Sequence, residues 1–145
     1  MDTTPIPVAS AFAPFASHDN NTLKGCKWSP DGLCLLTASE EDRQLRLFEL
    51  PPELMEAAAA AGGAGSGSGS GSGSATDAER EAEVLGAARA ELEPVLAVRE
   101  SESIYDYSWF PGMTSADPVT CVFASASREQ PVHLWDAYTG DCRAS

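Results

Sequence analysis

The chain has 145 residues, with 22 acidic against 9 basic side chains and a net charge of −13. That length suits one ordinary domain, and that balance argues against a broad phosphate-binding surface on this part of the chain. No apolar run approaches the ~20 residues of a membrane span, and the first residues lack the basic start and apolar core of a signal peptide.

Residues 1–20 read as a loose arm, because Pro5, Pro7 and Pro14 interrupt any regular element. Residues 21–51 read as three strands in succession. The first, near 23–28, ends on Trp28. Ser29-Pro30-Asp31-Gly32 follows as a tight turn, since Pro fixes φ and Asp-Gly tolerates the hairpin geometry. An apolar strand over 33–39 ends on Ser39. Glu40 to Gln44 form a second turn, with Asp42 placed to hydrogen-bond backbone amides. The third strand, near 44–49, closes on Phe48-Glu49, and Pro51-Pro52 stops it.

Residues 52–93 form a low-complexity insertion. An alanine run covers 57–61 and strict Gly-Ser alternation covers 65–74. Such a tract has nothing to bury and predicts a flexible coil over 57–75. Thr76-Asp77-Ala78-Glu79 reads as a capping box, which predicts a helix confined to 77–92. The insertion reads as a solvated acidic spacer in preference to a docking element. Residues 94–99 then resume as an outer strand.

Residues 100–145 repeat the order. A strand near 103–109 ends on Trp109, and a longer turn runs from Phe110 to Pro118. A strand over 119–127 leads into the turn Arg128-Glu129-Gln130-Pro131, where Glu129 takes the place of Asp42. A strand over 131–135 closes on Trp135-Asp136, and 141–145 begin an outer strand. Without residues 52–93, Trp28 and Trp109 stand about 40 positions apart, which is the period of a WD repeat. Trp28, Asp42 and Phe48 in the first copy, and Trp109, Trp135 and Asp136 in the second, are therefore structural markers of two blades. The fold class is all-β: a partial WD-type β-propeller of about two blades with a long flexible or helical insertion. The three tryptophans are expected among the more buried residues. A closed propeller needs at least four blades, so the chain reads as a fragment that leaves apolar blade faces exposed.

The four cysteines, Cys26, Cys34, Cys121 and Cys142, show no Cys-x-x-Cys spacing. They read as reduced thiols of an intracellular protein, with no metal site. No Ser/His/acid constellation, paired carboxylate or phosphate loop supports catalysis, so neither an enzyme nor a cofactor nor a small-molecule substrate is expected.

Several segments are more specific than a generic WD repeat. They are Leu23 to Gly32, Leu45 to Leu54, Pro94-Val95-Leu96, Ile104 to Trp109 and Ala124 to Gly140. In that order, over 20–54 and 94–145, the chain resembles the first blades of the telomerase Cajal body protein 1 family. The resemblance implies a non-enzymatic scaffold in the nuclear Cajal body. It implies small Cajal body RNAs and telomerase RNA as ligands, and telomerase ribonucleoprotein proteins as partners. Single-stranded RNA loops are read by aromatic stacking, Arg planes and base-edge hydrogen bonds. Arg43, Tyr105, Arg128 and Gln130 are the candidates for that role, on loops joining outer to inner and second to third strands. The same four side chains also read as solvated turn residues. A generic WD protein–protein adaptor using the same face is the alternative, and the acidic balance suits it.

Overall fold

The computed structural model describes residues 9–11, 20–56 and 91–145. The coil expected over 57–75 and residues 77–90 of the helix expected over 77–92 lie outside the described residues; 91–92 are not helical, Glu91 forming an isolated bridge with Ser10. The chain divides into two compact units, Met1–Ala11 with Leu50–Leu92, and Phe12–Glu49 with Glu93–Ser145. In the first, 52–56 form a short helical turn, with the Leu54 amide donating to the Pro51 carbonyl at 3.0 Å. This departs from the expectation of helix only over 77–92. Pro52 opens the turn where its missing N–H costs nothing and its fixed φ is already helical.

The second unit holds two four-stranded antiparallel sheets. The first sheet pairs β1 (Leu23–Trp28), β2 (Cys34–Ser39), β3 (Gln44–Glu49) and β4 (Leu96–Arg99) in sequence order. The second pairs β5 (Ile104–Trp109), β6 (Val122–Ser127), β7 (His133–Asp136) and β8 (Cys142–Ala144) in the same way. Two meanders of identical order are the blades that the repeat predicts. β6 starts three residues later than expected, because 119–121 close the preceding loop. The Thr120 amide donates to Asp117 O and the Cys121 amide to Pro118 O.

The registers show how the blades repeat. In the first sheet Trp28, Leu35 and Phe48 lie side by side across three strands. In the second, Trp109, Phe123 and Trp135 do the same. Each sheet therefore has a leading face carrying the aromatics and a trailing face carrying the residues between them. The trailing face of blade one offers Leu36, Ala38, Leu45, Leu47 and Val98. The leading face of blade two sets Ile104, Tyr107, Trp109 and Phe123 against them in one core. Trp109 meets Phe123 edge to face at a centroid distance of 5.8 Å.

Two expectations about burial are corrected. Trp28 is 54% exposed while Trp109 is 6% exposed. The sequence motif is the same at both, but only Trp109 has a sheet packed over it. Trp135 is only partly buried. It also lies on the opposite face of β7 from Leu134, as the alternation of a strand demands.

Candidate binding face and the joint between blades

The turn of 40–43, the turn of 128–132 and the connection of 100–103 all lie at one end of the sheets, because each joins strand ends of the same polarity. This end gathers three of the four candidates. Arg43 adopts a left-handed φ of 54°. Its guanidinium donates to Ser101 O and its carbonyl accepts the Glu100 amide at 2.9 Å. Arg128 donates its amide to Ser103 O at 3.0 Å, and its exposed guanidinium stands 3.6 Å from Glu129. Gln130 is exposed beside it. Connection 100–103 therefore links the two arginines.

Tyr105 is not in a loop. It sits in β5 at a break of register between Ile104 and Asp106, a β-bulge, and is 67% exposed. β1 breaks register at the corresponding place, between Leu23 and Cys26, with Gly25 at φ 95°. Bulges re-aim side chains, which accounts for the exposure of a tyrosine within a strand.

The positive groups here are mostly engaged. Lys24 pairs with Glu40 at 3.2 Å and donates to Ile104 O at 3.0 Å. Lys27 pairs with Asp106 at 2.7 Å and stands 4.8 Å from the centre of the Tyr107 ring. Both lysines thus bridge the inner strands of the two blades. Lys27 also accepts, through its carbonyl, the indole N–H of Trp109 at 3.1 Å. At the other end of the sheets Asp31 completes the joint by accepting the Ser115 amide at 2.7 Å and hydroxyl at 2.6 Å. Burial pushes the Asp31 carboxyl up, but these bonds and those from Ser29 and Leu33 outweigh it and hold the group at about 2.

Beneath the candidate face each blade buries a polar cluster. In blade one Asp42 accepts the Ser39 hydroxyl at 2.5 Å and Asn21 Nδ2 at 3.0 Å, and pairs with the buried Arg46. Burial raises the Asp42 pKa, but Arg46 and these donors bring it below the usual carboxylate range. In blade two Glu129 does not repeat this role, since its side chain is largely exposed. The buried carboxylate is Glu100, from the connection between the blades. It accepts the Ser125 hydroxyl, lies 3.4 Å from the Ser127 hydroxyl and takes His133 Nδ1–H at 3.0 Å. Trp135 donates its indole N–H to Ser125 at 2.7 Å. Sequence reasoning missed Glu100 and His133. The available signal was Ser125 and Ser127 on one strand face, awaiting a partner. Asp136 caps the turn after β7, accepting the Tyr138 and Thr139 amides at 2.8 and 3.0 Å, and Arg143 Nε at 2.9 Å.

Among the described residues no group of three or more His, Cys, Asp or Glu side chains gathers as a metal site would require. Among them too, no helix is long and apolar enough to cross a membrane. A recess between the blades, lined by Cys34, Leu47, Trp109, Met113, Cys121 and Tyr138, measures about 40 Å³. That is far below the several hundred Å³ of an ordinary small-molecule site.

No family model matches the chain. The chain is 41% identical over 138 residues to telomerase Cajal body protein 1 of Mesocricetus auratus, covering 95% of this chain and 21% of that protein. The same protein of Homo sapiens is 41% identical over 138 residues, covering 95% of this chain and 20% of its own length. The Drosophila melanogaster homolog is 32% identical over 124 residues, covering 84% of this chain and 18% of that protein. The chain thus spans about a fifth of the length of these relatives.

Proposed function

We propose, from the homology of this chain to telomerase Cajal body protein 1, that it supplies two adjacent blades of a non-enzymatic WD-type scaffold in the nuclear Cajal body. The scaffold takes small Cajal body RNAs and telomerase RNA on its loop end and works with the proteins of the telomerase ribonucleoprotein. The observation that carries the reading is the identity of 41% along 95% of the chain, across two blades that interlock as consecutive repeats. Support for RNA as the ligand comes from the exposed ring of Tyr105 in β5, which offers a stacking surface, and from the exposed Arg128 and Gln130 at the loop end, which offer donors.

A protein–protein adaptor is the second reading. It is favoured by the net charge of −13 and by the engagement of Lys24, Arg43 and Arg128 with Glu40, Ser101 and Glu129. That arrangement leaves little positive charge to release counterions from an RNA backbone.

The test grafts these two blades into the matching part of the human relative and titrates the chimera with a Cajal-box hairpin and a box-mutated control. Replacing Tyr105 and Arg128 together by Ala is expected to weaken hairpin binding about 10-fold, the scale of one lost base stack. Unchanged hairpin affinity, with the chimera folded, would place recognition elsewhere and favour the adaptor reading. A fluorescent fusion of the chimera is expected in Cajal bodies.

A further inference from the structure

Each blade buries one carboxylate, and the two are answered by different side chains. In blade one Arg46 stands across from Thr37, and in blade two His133 stands across from Ser125. Two residues further along the same strands, Phe48 lies opposite Leu35 and Trp135 lies opposite Phe123. Arg46 and His133 therefore hold equivalent places. Arg46 is buried and pairs with Asp42. His133 sets Nδ1 3.1 Å and 3.0 Å from the two oxygens of Glu100, which is 2% exposed, and its ring meets Trp135 edge to face at 5.6 Å. Ser125 lies on the face of β6 that carries Phe123, the face covered by blade one, so this pair is complete within the chain. Around it, Ser125 and Ser127 of β6 do not titrate, and Arg99 and Glu102 on either side of Glu100 are exposed. Arg128 of the turn before β7 faces Glu129 at 3.6 Å, Arg143 of β8 pairs with Asp136, and Lys24 of β1 pairs with Glu40. The carboxylate that meets His133 is Glu100.

We propose that His133 is a positioning residue: charged, it holds Glu100, and through Glu100 it holds the connection 100–103 and the two arginines bound to that connection. The path is short. The Glu100 amide donates to the Arg43 carbonyl at 2.9 Å, the Arg43 guanidinium donates to Ser101 O, and the Arg128 amide donates to Ser103 O at 3.0 Å. A shift of the Glu100 carboxylate is passed to the loop end through these three bonds. The exchange of Arg for His then has a consequence. An arginine keeps its charge at every working pH, whereas a histidine changes charge between about pH 5 and 8. Removing the charge from one side of a buried pair leaves the other uncompensated, which is costly. The anchor of blade one is therefore constant across that range. The anchor of blade two is present on its acid side and is lost as the pH rises and His133 gives up its proton. The consequence for a ligand rests on the function proposed above; the hold on the connection does not.

The experiment has two readouts, and the first needs no RNA. Amide hydrogen exchange of Glu100 and Arg128 is followed from pH 5.5 to 8 in the full 145-residue chain and in the chimera with the human relative. Rates are corrected for the intrinsic effect of pH, and amides of β2 and β3 serve as the control. Protection of the two amides is expected to fall about 10-fold over this range in the wild type, the scale of one hydrogen bond to a charged group. His133→Arg, which copies blade one, is expected to keep them protected at every pH. His133→Gln, which carries no charge, is expected to leave them weakly protected at every pH. Should Arg disturb folding, Glu100→Gln is read instead, since it removes the charge that His133 answers and is expected to abolish the dependence. The second readout is the affinity of the chimera for the Cajal-box hairpin against the box-mutated control, which is expected to fall with pH in the wild type and not in His133→Arg. Wild-type protection that stays level from pH 5.5 to 8 overturns the proposal, as does a dependence that survives in His133→Arg or Glu100→Gln. Protection that changes as expected while hairpin affinity does not upholds the role of His133 and overturns the RNA reading.

Discussion

Trp109 and Trp28 make a matched pair, alike in sequence and in strand position and unlike in what covers them. Replacing each by Ala separates the contribution of blade-to-blade packing from that of the sheet itself. Trp109 is 6% exposed, meets Phe123 edge to face at 5.8 Å and donates to Lys27 O at 3.1 Å. Truncating a buried Trp to Ala costs about 3–5 kcal/mol, and here the lost hydrogen bond adds roughly 1 kcal/mol. Trp28 has about half its surface in water, and the described residues hold no preceding blade for it to bond. Half the transfer value of a large side chain puts its replacement near ~1 kcal/mol. The two variants should therefore differ by about 3–5 kcal/mol. Total stability of a domain is about 5–15 kcal/mol, so Trp109→Phe, expected to cost about 1–2 kcal/mol, serves where Trp109→Ala does not fold. The assay is urea unfolding followed by far-ultraviolet dichroism. Equal destabilisation by the two Ala variants would mean that the joint between the blades contributes nothing, and the core described above would be wrong.

Three further outcomes follow from single residues. Asp31 has its folded pKa held at about 2 against an ordinary value of 3.8, so its contribution is present above about pH 4 and is lost as pH falls through about 2. Asp31→Ala should cost about 1–2 kcal/mol at pH 7 and flatten the acid limb of a stability-against-pH curve. An unchanged limb would remove the Asp31–Ser115 contact from the joint. Gly140 has a φ of 76°, and a Cβ there would stand 3.0 Å from Leu96 Cδ1 and 3.2 Å from Val98 Cγ1. Gly140→Val is expected to destabilise by about 1–3 kcal/mol in thermal unfolding. Cys34 is buried, and burial pushes its thiol up to about 11. Cys121 is buried and also raised, while Cys26 and Cys142 are exposed. Two thiols should react at once with a thiol reagent and two only as the chain unfolds; four fast thiols would contradict the core.

The strands were legible because half-buried sheet alternates and its turns carry Pro, Asp and Gly. β1 and β3 were expected at the residues where they are found. The start of β6 was misplaced because Val119, Thr120 and Cys121 have strand-like composition. Yet the hydrogen bonds of 119–121 go to Asp117 and Pro118, and composition does not reveal where a backbone amide is satisfied. Burial of the tryptophans was half legible. A motif tells which face a side chain takes; whether a second sheet covers that face depends on how many blades the chain holds. Tyr105 lies inside the strand expected over 103–109; what the sequence did not show is the bulge between Ile104 and Asp106, where its ring is exposed. The buried polar clusters were the least legible, because a repeat implies the same residue in the same place and here the second blade departs from it.

That departure has a physical reason. A Ser pair facing inward, Ser125 and Ser127, needs an acceptor once the blade packs. The β2–β3 turn of blade one supplies Asp42 for the equivalent Ser39, because that turn carries the carboxylate one residue before the left-handed Arg43. By the pairing of the strands the β6–β7 turn of blade two is one residue shorter, and it puts its left-handed residue at Glu129, whose side chain leaves for solvent. The acceptor then has to arrive from the other chain segment at this end of the sheets, the connection 100–103, and Glu100 occupies the place. The consequence is a difference in range. The cluster of blade one is closed mainly within its own hairpin, from Ser39 to Arg46. The cluster of blade two ties residues 125–135 to a connection some 25 to 33 positions earlier. A buried carboxylate left without donors is costly, so β6 and β7 are held to the strand that delivers the chain from blade one. The same connection carries the Ser101 and Ser103 carbonyls that bind Arg43 and Arg128. The buried acid and the exposed candidate face therefore share one backbone segment, and the position of the two arginines depends on the connection that Glu100 anchors.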